Sequence, residues 1–415
     1  MRLKKQKWLN IIPICLALVM FAHPAFSGAG KLKVGAMFIS SGKMGGYGKH
    51  AQQAIQVAVE EINAGGGIMG KKLEVLFEDT MLKKDVLEAL ADKFINTDKV
   101  DFLMGPTSSG LAMRLTEIAK TNNKILVLTQ AAADSLTGAK FHPYVFSTLS
   151  NAMMHSRSGA YLMASKPYRK YMVVGPDYSY GHSSWELFKS KLTELRPDVE
   201  VVGELFPKFM SDDYTAYIQQ ILDAKPDAVW CPLWGGDAVT FIRQALPTGL
   251  FDKVKFAFPC AGALEVLVPM GKDMPKGLYV SSRYFFTSPD SDMNKSFVKK
   301  YYARFKEYPD YMAGETYAGI YFIKAAVERA GTVKGEKIIA AVEKEPLAWE
   351  TPEGWKIMRA EDHSAVEDCL WGETEYNSKY GFSIPKRFES IQAEEICRSD
   401  KELKAVREEY EKGKK

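Results

Sequence analysis

Short apolar runs alternate along the chain with longer segments in which apolar residues recur every three to four positions. In the first part, strand-like runs lie at 32–38, 73–78, 100–104 and 125–128, and helix-like segments lie at 47–62, 83–95 and 111–121. Apolar runs of this length, separated by amphipathic helices, are typical of a parallel sheet covered on both faces. This part of the chain therefore predicts one doubly wound lobe.

The alternation starts again after residues 141–143. Strands are predicted at 144–147, 171–174, 200–205, 228–231 and 255–258, and helices at 152–164, 183–195, 214–223 and 238–245. A further apolar segment at 278–284 precedes three helices, at 294–305, 315–329 and 336–343. The predicted fold class is α/β, with two doubly wound parallel-sheet lobes joined by a multi-crossing hinge and with strand ends that face a shared cleft.

The pattern also predicts domain boundaries. We expect a signal peptide at 1–27, lobe 1 at 30–148 and 282–345, lobe 2 at 149–281 and 346–390, and a C-terminal tail at 391–415 with a solvated helix. The first 27 residues carry four basic residues, an apolar run at 11–21 and small residues before Ser27. This is the layout of a secretory signal, cleaved near Ser27 or Ala29, and the run is shorter than the ~20 residues of a membrane span. A periplasmic location follows.

Charge excludes one class of partner. The chain has 55 basic and 51 acidic residues. Four of the basic residues and none of the acidic ones lie in the predicted signal, so the rest carries 51 of each sign. A nucleic acid or an anionic membrane surface would require a basic surplus or stripe, which is absent here.

The cysteines leave several pairings open. Outside the signal they are Cys231, Cys260, Cys369 and Cys397. An even count in an exported chain favours disulfides, with three possible connectivities. We favour Cys369 with Cys397, because they lie near each other in a region with little regular pattern; Cys231 and Cys260 then fit two free thiols at strand ends.

One turn carries the candidate chemistry. Gly105-Pro106-Thr107-Ser108-Ser109 stands between an apolar run and a helix-like stretch at 110–119. A strand that passes through such a turn into a helix leaves backbone N–H groups pointing outward, with the helix dipole behind them, and this is a site for an anion. A serine there has two possible roles: it caps the helix, or its hydroxyl contacts a ligand.

Catalytic motifs are absent. The chain has no G-x-S-x-G elbow, no H-E-x-x-H and no P-loop, and its histidines are scattered without the spacing of metal ligands. Gly65, Gly67 and Gly70 match G-x-G-x-x-G, but a helix leads into a strand there, which is the reverse of a dinucleotide site. We therefore expect no enzyme, no catalytic residue, no metal and no cofactor.

Several segments together resemble one family. They are Lys33-Val34-Gly35-Ala36, Tyr47-Gly48, the stretch from Glu61 to Leu73 with Ile-Asn-Ala-Gly-Gly-Gly-Ile and Gly70, Glu78-Asp79, and the Gly105 turn. The chain resembles the periplasmic leucine/isoleucine/valine-binding proteins, solute receptors of ABC importers, over residues 30–345. The resemblance implies the type I periplasmic binding protein fold and hinge closure around a small ligand.

The resemblance also implies a set of ligand contacts. Ser109, with Ser108 beside it, matches the turn that binds the ligand carboxylate, and main-chain groups of the loop 129–133 match a second contact. The usual threonine hydroxyl of that loop is missing, because Ala133 stands in its place. Across the cleft, two aromatic side chains match residues that close over the ligand. The full predicted set is Ser108, Ser109, Ala131, Ala133, Tyr47, Tyr180, Trp234, Asp237 and Cys260.

One departure concerns the ligand's ammonium group. The family holds it with a glutamate in a Gly-Pro-Glu turn, whereas this chain has Phe258-Pro259-Cys260-Ala261. Asp237 is expected to replace that acid; otherwise the ligand has no amine. Two ligand classes stay open: a branched-chain or other apolar amino acid, and an amine-free ligand such as an aromatic acid or an amide.

The expected partners are a small-molecule ligand and the permease subunits of an ABC transporter, and the receptor is expected to be a monomer. A ligand sensor that acts on a separate membrane receptor is the alternative function. No nucleic acid partner is expected.

Overall fold

The computed structural model describes residues 30–413; the predicted signal peptide lies outside them. The strands are β1 (Lys31–Phe38), β2 (Lys72–Asp79), β3 (Phe102–Met104), β4 (Ile125–Leu128), β5 (Val145–Ser147), β6 (Lys170–Val174), β7 (Glu200–Leu205), β8 (Ala228–Trp230), β9 (Lys255–Phe258), β10 (Tyr279–Ser281), β11 (Leu347–Thr351), β12 (Gly354–Met358), β13 (Ala365–Val366), β14 (Cys369–Asn377) and β15 (Phe382–Ile391). The helices are α1 (Gly45–Ala64), α2 (Lys84–Asp92), α3 (Ser109–Thr121), α4 (Ala152–Ala164), α5 (Ser179–Leu195), α6 (Thr215–Ala224), α7 (Gly235–Ala245), α8 (Leu250–Lys253), α9 (Leu264–Met270), α10 (Asp292–Phe305), α11 (Tyr311–Ala330), α12 (Gly335–Lys344), α13 (Ala393–Ile396) and α14 (Asp400–Gly413).

The first sheet is parallel, with the strand order β2-β1-β3-β4-β5. Its strands are buried on both faces, and alternate residues of one strand enter different cores. Val34 and Ala36 of β1 pack in the cluster that contains α1 and α11, whereas Met37 packs with the apolar residues of α2 and α3. The near-continuous apolar run of β1 therefore follows from helices on both sides of the sheet.

The second sheet has the order β15-β14-β10-β9-β8-β6-β7. Its strands from β6 to β10 are parallel, and β14 and β15 add two antiparallel strands at one edge. On one face Trp185 and Phe188 of α5 pack against Trp230 of β8. On the other face Phe241 of α7 packs against Phe256 of β9. The predicted class, two doubly wound lobes with a multi-crossing hinge, is confirmed.

The structure corrects one expectation about chain organisation. The strand at 144–147, which falls within the predicted bounds 30–148 of lobe 1, pairs as β5 with β4 of the first sheet. The segment 346–390, assigned above to lobe 2, divides: β11 to β13 form a separate antiparallel sheet, and β14 and β15 join the second sheet. Trp349 of β11 donates to the Ala318 carbonyl of α11 at 3.1 Å, so the small sheet packs beside the first lobe.

The C-terminal tail contacts both lobes. Arg398 forms an ion pair with Asp134, in the loop after β4, while Glu402 of α14 pairs with Arg157 of α4. Within residues 30–413 no helix is long and apolar enough to cross a bilayer.

The favoured disulfide is not formed. All four cysteines of the described chain are free thiols, Cys231 and Cys260 among them. Cys369 and Cys397 instead contribute to a small apolar cluster with Ile396, and burial raises the pKa of both thiols. A protonated, buried thiol packs as a small apolar group and is poorly reactive.

Candidate functional site

A cleft of 740 Å³ lies between the two sheets, at the carboxyl ends of their strands. Its walls include segments that follow six strands, three from each sheet: Ile39, Thr107–Gly110, residues 130 and 132–135, Tyr178–Tyr180, Trp234, and Pro259 with Cys260. Ser282 and Arg283, directly after β10, complete the inner end. This is where ligands bind in open parallel α/β sheets, so the predicted shared cleft is present.

The Gly105 turn has the geometry of an anion site. Gly105 has φ +100°, and a Cβ there would lie 2.2 Å from the Met37 carbonyl oxygen, so only glycine fits. Ser108 is the N-cap of α3, but no side chain caps the helix. The Ser109 hydroxyl oxygen accepts from the Ala133 amide at 3.2 Å, which leaves its proton free to donate. The free first-turn amides and this hydroxyl together can hold a carboxylate.

The structure brings most of the predicted contacts together. Those that line the cleft are Ser108, Ser109, Ala133, Tyr47, Tyr180, Trp234 and Cys260. Ala131 is buried in the core beside the cleft. Asp237 does not line the cleft, contrary to expectation. It lies in the first turn of α7, where its carboxylate accepts from the Met210 amide at 3.0 Å. Burial raises the pKa of Asp237.

Aromatic side chains form the wall opposite the Gly105 turn. Trp234 stacks on Phe209 at 5.5 Å between ring centroids, and its indole donates to the Tyr178 hydroxyl at 2.9 Å. The Tyr180 hydroxyl lies 3.2 Å from the Cys260 sulfur. These contacts fix the rings in place, so the wall can stack against a flat apolar ligand.

Tyr47 joins the two lobes at the rim. It belongs to α1, and its hydroxyl donates to Glu265 Oε1 of α9 at 2.6 Å, while its ring meets Trp234 edge-on at 5.7 Å. Burial and the nearby Asp310 carboxylate raise the pKa of Glu265 to about 8. The rim is therefore closed at this point, and a largely protonated carboxyl takes part in the contact at neutral pH.

Sequence reasoning missed a cation at the inner end of the cleft. Arg283 Nη1 donates to the Gln130 carbonyl at 3.2 Å and lies 3.5 Å from Glu315 Oε2, and the guanidinium stands over the Tyr311 ring at 4.7 Å. Burial opposes its charge, but Glu315 and Tyr311 keep the pKa of Arg283 above its ordinary value. The one available signal was a charged residue inside the apolar run 278–286.

Three further polar side chains near Arg283 were also missed. The Gln130 side-chain oxygen, the Ser282 hydroxyl and both ring nitrogens of His155 are buried and have no hydrogen-bond partner within the described residues. Burial lowers the pKa of His155 to about 3, so its ring is neutral. Buried polar atoms without partners are uncommon and point to a ligand or to ordered water.

A second cavity of 430 Å³ adjoins the cleft at this end, and Ser150, His155, Ser282 and Arg283 line both. On its far side the buried Lys356 ammonium lies 2.5 Å from Glu353 and 2.8 Å from Glu367. In the part of the chain that the structure describes, no group of His, Cys, Asp and Glu is arranged to hold a metal ion. The arrangement can bind an apolar or aromatic molecule that carries negative charge.

Comparison with known proteins agrees with this fold. A family model described as "Periplasmic binding protein" matches residues 31–378. The Leu/Ile/Val-binding protein homolog 4 of Brucella abortus is 25% identical over 367 residues, which cover 85% of this chain and 86% of the relative. A Pseudomonas aeruginosa protein that binds leucine, isoleucine, valine, threonine and alanine is 23% identical over 346 residues, covering 82% and 88% of the two chains.

Solved structures are similar over nearly their whole length. A branched-chain amino acid transporter protein from Rhodopseudomonas palustris CGA009 has a TM-score of 0.77 at 24% identity. A solute-binding protein of R. palustris BisB5, in complex with 3,4-dihydroxybenzoic acid, has a TM-score of 0.77 at 25% identity. Each match covers 88% of this chain and 98% of the other.

The chain therefore belongs to the periplasmic binding protein family, whose members bind small molecules and work with ABC transporters. Within it, the sheet topology and the similar proteins support a type I periplasmic binding protein, so the predicted resemblance is confirmed.

Proposed function

We propose that this protein is a periplasmic receptor, not an enzyme, that captures a small carboxylate in its cleft and delivers it to an ABC importer. The observation that carries the proposal is the start of α3: free amides and the Ser109 hydroxyl face a cleft with aromatic walls. A monomer that closes on its ligand suits this role. Closure would bury the ligand and create a surface for the permease subunits.

The charges around the cleft favour an amine-free carboxylate, such as an aromatic acid. Among the described residues that line the cleft, the single carboxylate is Asp134, and it is paired with Arg398. A buried ammonium without a carboxylate partner costs several kcal/mol. The cation Arg283 would also repel an ammonium group. The dihydroxybenzoic acid bound by the R. palustris BisB5 protein supports this class.

An apolar amino acid is the second candidate. It is favoured by the names of the Brucella and Pseudomonas relatives. In that case Asp237 would have to leave the Met210 amide and reach the ligand's ammonium group.

Closure of the cleft would begin with binding to the lobe that carries the Gly105 turn. The carboxylate first binds at Ser109, and the lobe that carries Tyr180 and Trp234 then closes over it. The contact of Tyr47 with Glu265 would stabilise the closed rim, since each residue belongs to a different lobe.

Isothermal titration calorimetry with benzoate and leucine tests the proposal. Charge-assisted hydrogen bonds contribute about 1.5–3 kcal/mol each, so Ser109→Ala should weaken binding of the preferred carboxylate by roughly ten- to a hundredfold. Ser211→Ala, which removes an exposed hydroxyl outside the cleft, is the matched control and should bind as the wild type does. Unchanged affinity in Ser109→Ala would remove this residue from the site.

The same titrations separate the two ligand classes. Binding of leucine but not benzoate would favour the amino acid, and Asp237→Ala should then abolish it. Mass spectrometry of any small molecule released on denaturing the purified protein identifies the natural ligand directly.

A further inference from the structure

We infer that the ligand carries two carboxylates, one at each end of an apolar or aromatic body, and that Arg283 binds the second. The inference rests on the proposed function and specifies its ligand. It begins from the donors of Arg283: Nη1 is the nitrogen with acceptors, whereas Nε and Nη2 have none among residues 30–413. A guanidinium fork with two free donors suits one carboxylate in bidentate geometry.

The surroundings of Arg283 supply further hydrogen-bonding groups. The Ser282 hydroxyl and the neutral His155 ring line the cleft and lack partners in the described chain. Both can donate to a carboxylate oxygen that the guanidinium leaves free. Arg283, Ser282 and His155 all have hydrogen-bonding atoms without partners in the described chain. One anionic group between them explains this better than three separate defects in packing.

Glu315 does not fully satisfy the hydrogen-bond donors of Arg283. Its Oε2 lies 3.5 Å from Arg283, at the limit of a hydrogen bond, and its Oε1 is buried without a partner. Burial raises the pKa of Glu315, although the Arg283 charge opposes the shift. At 3.5 Å from Nη1, Glu315 leaves Nε and Nη2 of Arg283 able to bind a ligand carboxylate.

The two ends of the cleft are one small molecule apart. The Ser109 hydroxyl is fixed to the Ala133 amide, and Arg283 is fixed to the Gln130 carbonyl, so a run of three residues separates the two attachment points. Such a run spans at most ~10 Å. A benzene ring with carboxylates at opposite positions has a comparable length, and the adjoining cavity gives room for the second group.

A purely structural role for the Arg283 and Glu315 pair is the competing explanation. The two explanations differ in what removal of the pair does. If the pair is structural, its removal weakens the binding of all ligands alike. If it binds the ligand, its removal weakens the binding of the two-carboxylate ligand alone.

Calorimetry with terephthalate and benzoate distinguishes them. The wild type should bind terephthalate about tenfold or more tightly than benzoate, as expected for added charge-assisted hydrogen bonds. The double variant Arg283→Met/Glu315→Gln removes the pair as a unit and so avoids an unpaired buried charge. In it the preference for terephthalate should disappear, while benzoate binding persists.

The control is Arg304→Met/Glu60→Gln, which makes the same two substitutions in a surface ion pair and should retain the preference. Equal affinity of the wild type for both acids overturns the inference alone. So does an equal loss of affinity for both acids in the Arg283 double variant. Failure of both acids to bind overturns the inference alone when leucine binds, and overturns it together with the proposed function when leucine does not bind either. Should the double variant not fold, Ser282→Ala must still reduce the preference for terephthalate, and an unchanged preference counts against the inference.

Discussion

Glu265 should make stability fall as pH rises. Its pKa is about 8 in the folded protein, against about 4.5 for an ordinary glutamate, because burial and the nearby Asp310 oppose its charge. Between these two values the folded state holds a proton that the unfolded state has released, so stability is lost as pH rises. At 1.36 kcal/mol per pH unit, the loss from pH 5 to pH 8 is at most roughly 4 kcal/mol, and less because the side chain is only half-buried.

Glu265→Gln removes this titration and keeps an oxygen that can accept from Tyr47. Urea unfolding of both proteins at pH 5, 6, 7 and 8 should show the variant gaining stability relative to the wild type as pH rises. Other groups titrate in both proteins and cancel in the difference. Glu350→Gln, at an exposed position of β11, is the control for the substitution itself, and the change with pH should be larger for Glu265→Gln than for this control. A change no larger than that of the control would refute the argument.

Two further substitutions test the packing around the cleft. Gly105→Ala places a Cβ against a backbone carbonyl at positive φ. It should reduce stability by about 1–3 kcal/mol and weaken carboxylate binding, which thermal melts and calorimetry measure. The control Gly46→Ala, whose Cβ meets nothing within 4 Å, should melt like the wild type. Lys356→Met leaves Glu353 and Glu367 without their shared cation and should cost about 3–5 kcal/mol in urea unfolding. Adding Glu353→Gln should recover part of that loss, and no recovery would argue against the ion pair as the cause.

The alternation of apolar runs and helices was enough to predict both lobes, because parallel strands that are buried on both faces are nearly continuous apolar runs in the sequence. It did not assign the later strands to their sheets. The small sheet β11 to β13 has a local pattern that fits either lobe. Its assignment depends on contacts far apart in sequence, such as that of Trp349 with α11.

The site was predictable where a turn defines it and not where tertiary contacts do. The Gly105 turn carries its own backbone geometry, so Ser109 could be found from sequence. Asp237 follows a strand as expected, but the Met210 amide binds its carboxylate. Arg283 was missed, because a lone charge in an apolar run gives no sign of whether it faces solvent or a cavity.

The preference for negative charge that we propose for the cleft follows from topology as well as from single residues. In each parallel sheet a helix begins just beyond the carboxyl end of a strand, so helix N-termini gather at the cleft. The helix α3 begins there at Ser109 in one lobe, and α5 begins at Ser179 in the other, both residues being part of the cleft wall. The partial positive charges of these ends act on the same ligand. Closing the lobes brings both near one carboxylate-bearing molecule, so its charge would itself favour the closed form, which an ammonium group would not.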